Sequence, residues 1–257
     1  CTAAGVLVRA LAHSMLRCGA GTPFFAMLNW AGAVSAVLEW CGVYLYLLIV
    51  LRLLVHSDPA RTRSFSAIRP FFAMQIAGWG LSALINLWLL VRMASLGSII
   101  VDPGWNQFKI ELFIGLVLLP VAFAFSVKTF PLYLRLRAAD WPVRPLALIY
   151  FVAFCAQVLP HSPLLIRSLS ETTALVAAAG TVVKAAAIIL FVWKIDVLTR
   201  SHLPWTSKQE VTPKADRRPT RAGMPDYGEF GRFERLIDAA YLWLVIGALF
   251  EIFYVIF

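Results

Sequence analysis

Residues 174–196 read ALVAAAGTVVKAAAIILFVWKID, and this stretch decides the fold. Between residues 174 and 193, Lys184 is the only charged side chain. About 20 consecutive apolar residues in an α-helix are long enough to cross the hydrocarbon core of a bilayer. The stretch therefore predicts a membrane-spanning helix, and it raises the question of what surrounds a lysine near its centre.

The composition extends this prediction to the whole chain. Of the 257 residues, 60% are hydrophobic and 14% are charged, and the mean hydropathy is +0.77. A soluble domain carries about 25% charged residues. The apolar residues are concentrated in blocks separated by basic connections, which is the pattern of transmembrane helices. We predict an all-α bundle of six to seven spans, forming a single domain whose first partner is the lipid bilayer.

Six full spans can be placed along the sequence. They cover residues 28–54, 70–92, 109–128, 145–161, 172–195 and 235–257. Residues 3–17 are apolar but short, and we interpret them as an interfacial helix or as the end of an earlier span. Residues 196–234 are rich in proline, glycine and charge, which is typical of a surface loop. The chain begins at Cys1 without a methionine and ends at Phe257 within an apolar helix, so we expect a segment of a longer protein.

Lysine and arginine alternate between poor and rich connections. Residues 52–69, 128–144 and 194–235 are rich in them, whereas the intervening connections hold few. The positive-inside rule places the rich connections in the cytoplasm. We therefore attribute the net charge of +9 to membrane orientation and to anionic lipid headgroups, and not to nucleic-acid binding.

Lys184 shares a helix face with small residues, including Gly180 and Thr181, which predicts that it points toward neighbouring helices. A charge at the centre of a bilayer costs about 2.5–3.5 kcal/mol on insertion scales, so it needs a partner. Glu39 lies on a similar small-residue face of the first span. At about 1.5 Å per residue, both side chains lie about 17 Å from the outer ends of their spans. Glu251 in the last span is a second candidate, nearer the outer face, and Glu39 is the better match in depth.

An intramembrane pair of Glu39 and Lys184 has two readings. It can serve as a proton relay or as a charge that helps to hold a cofactor or ion, or it can be a structural ion pair that fixes helix register. Gln75 and Asn86 lie on one face of the second span, where hydrogen bonds between helices are their usual role.

The histidines predict no metal centre. None lies within a full span with a second histidine at helical spacing, and His13 in the short first segment is the one weak candidate for a metal ligand. No arrangement of Ser, His and Asp or of paired carboxylates predicts catalysis, so the sequence leaves open whether the protein is an enzyme.

Two stretches carry a family resemblance. The first is FSVKTFPLYLRLRAADWP at 125–142, where Lys128 and Pro131 begin an aromatic-rich turn after a span. The second is RLIDAAYLWLVIGALFE at 235–251, with Tyr241 and Trp243 in a Tyr-x-Trp-Leu run. Both stretches, and the order of spans between them, resemble NnrS-type proteins.

That resemblance implies a polytopic protein of the bacterial inner membrane, connected with haem, copper and nitric-oxide stress. It implies haem or copper as the cofactor, although Ile237 and Asp238 stand where the family has a histidine before the Tyr-x-Trp-Leu run. Glu39 and Lys184 would then tune a buried site without ligating metal.

Three functional hypotheses follow. The first is an NnrS-like protein of haem, redox or nitric-oxide chemistry, acting alone or as a subunit or fragment of a larger membrane assembly. The second is a proton-coupled transporter whose path is lined by Glu39 and Lys184. The third is a non-catalytic helical subunit that packs against other membrane proteins through its small-residue faces.

Overall fold

A computed structural model describes residues 2–19, 22, 24–56, 66–133, 141–165, 171–199 and 233–257. These residues fold into nine α-helices and one π-helical turn, without a β-strand among them. The α-helices are α1 (Thr2–Gly19), α2 (Phe24–His56), α3 (Arg69–Leu96), α4 (Pro103–Phe113), α5 (Leu119–Lys128), α6 (Phe130–Tyr133), α7 (Val143–Val158), α8 (Glu171–Ile195) and α9 (Phe233–Ile256), and the π-helical turn is Ile114–Leu118.

The predicted all-α class is confirmed, whereas the predicted six to seven spans are not. Among the described residues, five helical segments are long and apolar enough to cross a membrane: α2, α3, the continuous helix Pro103–Lys128, α8 and α9. The predicted span 145–161 forms α7, which has 16 residues and is shorter than a full crossing. Residues 3–17 lie in α1, which is likewise apolar but short. The chain is thus a multi-pass membrane protein in which two apolar helices are shorter than the other five.

The loop predicted at 196–234 lies almost entirely outside the described residues. Turns cover Asp196–Thr199, and α9 already begins at Phe233. Asp196, directly after α8, has a left-handed φ of 62°, a conformation that aspartate tolerates better than most residues.

The third span changes its hydrogen-bonding pattern at a defined place. The π-helical turn Ile114–Leu118 lies immediately before Pro120. Proline has no amide hydrogen, and in a regular α-helix its ring collides with the carbonyl group four residues earlier. The wider turn relieves this collision, so the helix continues through the proline up to Lys128.

The chain divides into two compact units. In the first, Cys1–Val121 with Val158–Ala174, α1 packs closely along α2. A Cβ atom on Gly5 would lie 2.7 Å from the carbonyl oxygen of Ser35, so only glycine permits this approach. One buried apolar cluster joins Leu16 to α2 and α3 residues, and a second joins α2 to α3 around Val43. These contacts set the positions of polar groups on the same three helices.

The second unit comprises Ala122–Gln157 and Leu175–Phe257. Here α8 lies against α7 at Gly180, where an added Cβ would be 2.7 Å from the amide nitrogen of Gln157 and 2.8 Å from the carbonyl oxygen of Ala153. Phe123 and Phe191 pack together with ring centroids 4.2 Å apart. The small-residue face predicted for α8 therefore faces a neighbouring helix, as expected of such faces in membranes.

Candidate functional site

Arg9 of α1 and Glu39 of α2 form an ion pair in the first unit. The Arg9 Nη1 donates to Glu39 Oε2 at 2.6 Å, and the two side chains are 27% and 21% exposed. The close packing of α1 against α2 at Gly5 brings the helices near enough for this contact. A charge-assisted bond of this length between partly buried groups is among the stronger polar contacts in proteins.

Asn86 and Lys109 extend the ion pair across two further helices. The Asn86 Nδ2 donates to Glu39 Oε2 at 3.2 Å, and the Lys109 Nζ donates to Asn86 Oδ1 at 3.2 Å. A carboxylate only accepts and an ammonium only donates, so both bonds fix the orientation of the Asn86 amide. We call these four residues, Arg9, Glu39, Asn86 and Lys109, the polar cluster. It links α1, α2, α3 and α4.

The polar cluster contains two cations and one carboxylate. Lys109 is close enough to Arg9 and to Glu39 to experience the charge of both. Within the part of the chain that the structure describes, no second acidic group joins the cluster. The cluster therefore has one excess positive charge when all of its groups are ionised.

Aromatic and charged side chains close the turn between α3 and α4. Trp88 and Trp105 pack with centroids 4.9 Å apart, and the Arg92 guanidinium lies 5.2 Å from the Trp88 ring. Arg92 also pairs with Asp102 at 3.4 Å, and Asp102 caps α4 by accepting from the backbone amide of Trp105. Tryptophan with a charged neighbour is typical of the boundary between membrane and water.

The polar cluster lies close to these tryptophans along both helices. Asn86 is two residues from Trp88, and Lys109 is one helical turn from Trp105. Ser82, one turn on the other side of Asn86, is buried, and its hydroxyl has no hydrogen-bond partner among the described residues. Polar groups therefore continue along the same face of α3 from Asn86 to Ser82.

A second ion pair lies in the second unit. The Lys184 Nζ donates to Glu251 Oε1 at 2.8 Å, which joins α8 to α9. The Lys184 side chain is 9% exposed and that of Glu251 is 39% exposed. The predicted burial of Lys184 among small residues is thus what the structure shows, since Gly180, Thr181 and Ala185 on the same helix are buried as well.

We expected Lys184 and Glu39 to pair with each other, but each forms an ion pair with a residue of its own unit. Lys184 pairs with Glu251, which the depth estimate placed second, and Glu39 pairs with Arg9. A depth estimate from residue counts assumes that all spans begin at one level, and it ignores the reach of long side chains. The expected partnership is corrected accordingly.

The other predicted site residues are distributed over both units. Gln75 is half-buried on α3, and His13 is half-buried on α1, where its Nδ1 lies 3.0 Å from the backbone oxygen of Arg9. Lys128 and Pro131 are half-buried, and Trp243 is 69% exposed.

Tyr241 connects the two stretches that carry the family resemblance. Its hydroxyl forms a hydrogen bond with Ser126, and its ring packs edge-on against Phe130 with centroids 5.8 Å apart. The two stretches are therefore neighbours within the second unit. In the described ranges, no three His, Cys, Asp or Glu side chains lie close enough together to hold a metal ion.

Arg9 and Lys109 are the site residues that sequence reasoning missed. Lys109 begins the predicted span 109–128, where basic residues are expected for orientation alone, and Arg9 lies within the short apolar segment 3–17. One signal was present: Arg9 and His13 fall one turn apart in an apolar helix, a place where a charge requires a partner.

Comparisons of the chain with protein-family models, with curated proteins and with solved structures found no match.

Proposed function

We propose that the protein is a membrane transporter whose solute passes the polar cluster. The observation that carries this proposal is the line of hydrogen-bonded polar groups from Arg9 through Glu39 and Asn86 to Lys109, which joins four helices. Ionisable groups inside a membrane typically mark substrate or ion pathways. The bacterial inner membrane, with the basic connections in the cytoplasm, is the location that we propose with it.

Several features support a pathway at the polar cluster rather than an inert ion pair. The charges are unbalanced, and the Ser82 hydroxyl, one turn from Asn86 on α3, is buried without a partner among the described residues. A pathway needs polar groups that are left to bind something else.

The test is whether the cluster can be reached by water from both sides of the membrane. Ser82→Cys is made in a variant whose four native cysteines are serine, and membrane-impermeant thiol reagents are applied to right-side-out and to inverted vesicles. We expect labelling from both sides, because a transporter exposes its binding site alternately to each.

Leu81→Cys is the matched control, since Leu81 is the neighbouring residue of α3, lies about 100° around the helix axis from Ser82 and is 47% exposed. It is expected to stay unlabelled in lipid. A Ser82→Cys variant that is folded but labelled from neither side contradicts the transport proposal.

An NnrS-like role in haem or copper chemistry is a second proposal. The contacts of Tyr241 with Ser126 and Phe130 support it, since they join the two resembling stretches. The His13 imidazole would be the ligand that this chain offers. Such a protein would act alone or as a subunit packed against other membrane proteins.

The cofactor proposal is tested on protein purified from cells supplied with haem and copper. We expect a Soret band or stoichiometric copper, and we expect either signal to be lost in His13→Ala. Gln75→Ala serves as a half-buried polar control on another helix. Protein with neither absorption nor copper would contradict a cofactor in this chain.

A further inference from the structure

We infer that the polar cluster binds an oxyanion, the carboxylate or phosphate group of a solute, between the Arg9 guanidinium and the Lys109 ammonium. This inference rests on the proposed transport function and adds the class of solute. It is carried by the excess positive charge and by donor groups that the protein leaves unused.

The charge argument comes first. Two cations and one carboxylate meet at partly buried positions, where an uncompensated charge is costly. Glu39 already accepts from both Arg9 and Asn86 through the same oxygen, Oε2. A bound anion would bring the cluster to neutrality, which a neutral or cationic solute would not do.

The donors are the second argument. A guanidinium has five N–H groups and an ammonium has three. Within the described chain, Arg9 uses Nη1 on Glu39 and Lys109 uses one hydrogen on Asn86. Arginine and lysine together form the usual donor set for carboxylate and phosphate groups.

Asn86 has a different part, because both ends of its amide are engaged. It accepts from Lys109 and donates to Glu39, so these two bonds fix its orientation between them. Asn86 is therefore a positioning residue. The remaining donors of Arg9 and Lys109 are the ones that can bind the anion.

Binding is measured on the purified protein with sodium acetate and sodium phosphate as probes, while a bulky sulfonate salt keeps the ionic strength constant. The readouts are the thermal unfolding midpoint, followed by tryptophan fluorescence, and isothermal calorimetry. We expect saturable binding to the wild type. The affinity should fall at least about tenfold in Lys109→Gln, because a charge-assisted hydrogen bond is lost, and it should recover in Lys109→Arg.

Arg92→Gln is the control, since Arg92 is a basic side chain outside the polar cluster and pairs with Asp102. It should bind the probes like the wild type. If calorimetry on the wild type shows no saturable binding, the inference is overturned. An equal response of the wild type and Lys109→Gln would indicate a general salt effect and would overturn it too.

A lipid phosphate is the other source of the same chemistry. In nanodiscs of neutral lipid, acetate and phosphate should stabilise the protein, and adding phosphatidylglycerol should leave this response intact. If that lipid itself stabilises the wild type but not Lys109→Gln and abolishes the response, a headgroup occupies the site and the solute inference is overturned.

The anion-binding test and the transport test can be distinguished by their results. Two-sided labelling of Ser82→Cys without anion binding overturns the solute class and leaves transport standing. Anion binding with labelling from one side or neither supports the site and contradicts transport.

Discussion

Replacing Glu251 by leucine is expected to lower the free energy of unfolding by about 3 kcal/mol, because the change leaves the Lys184 ammonium without its partner. Lys184 is only 7% exposed, so water cannot take the place of the carboxylate. The measurement is reversible unfolding of the purified protein in mixed micelles. Removal of one partner of a buried pair is more damaging than removal of both.

The double variant Lys184→Met, Glu251→Leu separates charge from packing. It removes both charges and retains side chains of similar length, so it should regain most of the lost stability. An equally large loss in the single and double variants would mean that α8 and α9 depend on the shape of these side chains and not on their charges.

Gly180→Ala is expected to destabilise the second unit by about 3 kcal/mol, at the upper end of the usual cost of overpacking. The added methyl group would meet backbone atoms of α7 at 2.7 and 2.8 Å, and backbone cannot move aside as a flexible side chain can. Helices α7 and α8 would have to move apart at Gly180. Lys184 lies one turn further along α8 and would be displaced with it. The measurement is again the unfolding free energy in mixed micelles.

Gly247→Ala provides the matched control in another membrane helix. A Cβ on Gly247 has no atom within 4 Å, and alanine has the higher helix propensity. Its stability should be unchanged or slightly higher. Equal effects of the two substitutions would contradict the close approach of α8 to α7.

The fold class was predictable because hydropathy reports directly on membrane helices. The five long apolar segments fall within a few residues of the predicted spans, and Lys184 is buried on the face that its small neighbours indicated. The lengths of the other two helices were less predictable. Val143–Val158 is mostly apolar but has too few residues for a regular crossing.

The sequence offered Glu39 and Glu251 as partners of Lys184 but could not decide between them. Ion pairing depends on which helices touch, and that is decided by close contacts such as Gly5 against Ser35. Arg9 reaches Glu39 because α1 packs along α2. Neither the charge pattern nor the estimated depth in the membrane predicts this packing. The resemblance to NnrS-type proteins stays a prediction.

The π-helical turn before Pro120 changes the rotational phase of the third span. A wide turn includes about one residue more than a regular turn, and one residue corresponds to about 100° around a helix axis. Side chains after Leu118 are thus offset from the positions that Pro103–Phe113 alone would dictate. Lys109 precedes the wide turn and donates to Asn86, whereas Ser126 follows it and bonds Tyr241, so the two contacts are made by parts of one helix that differ in phase.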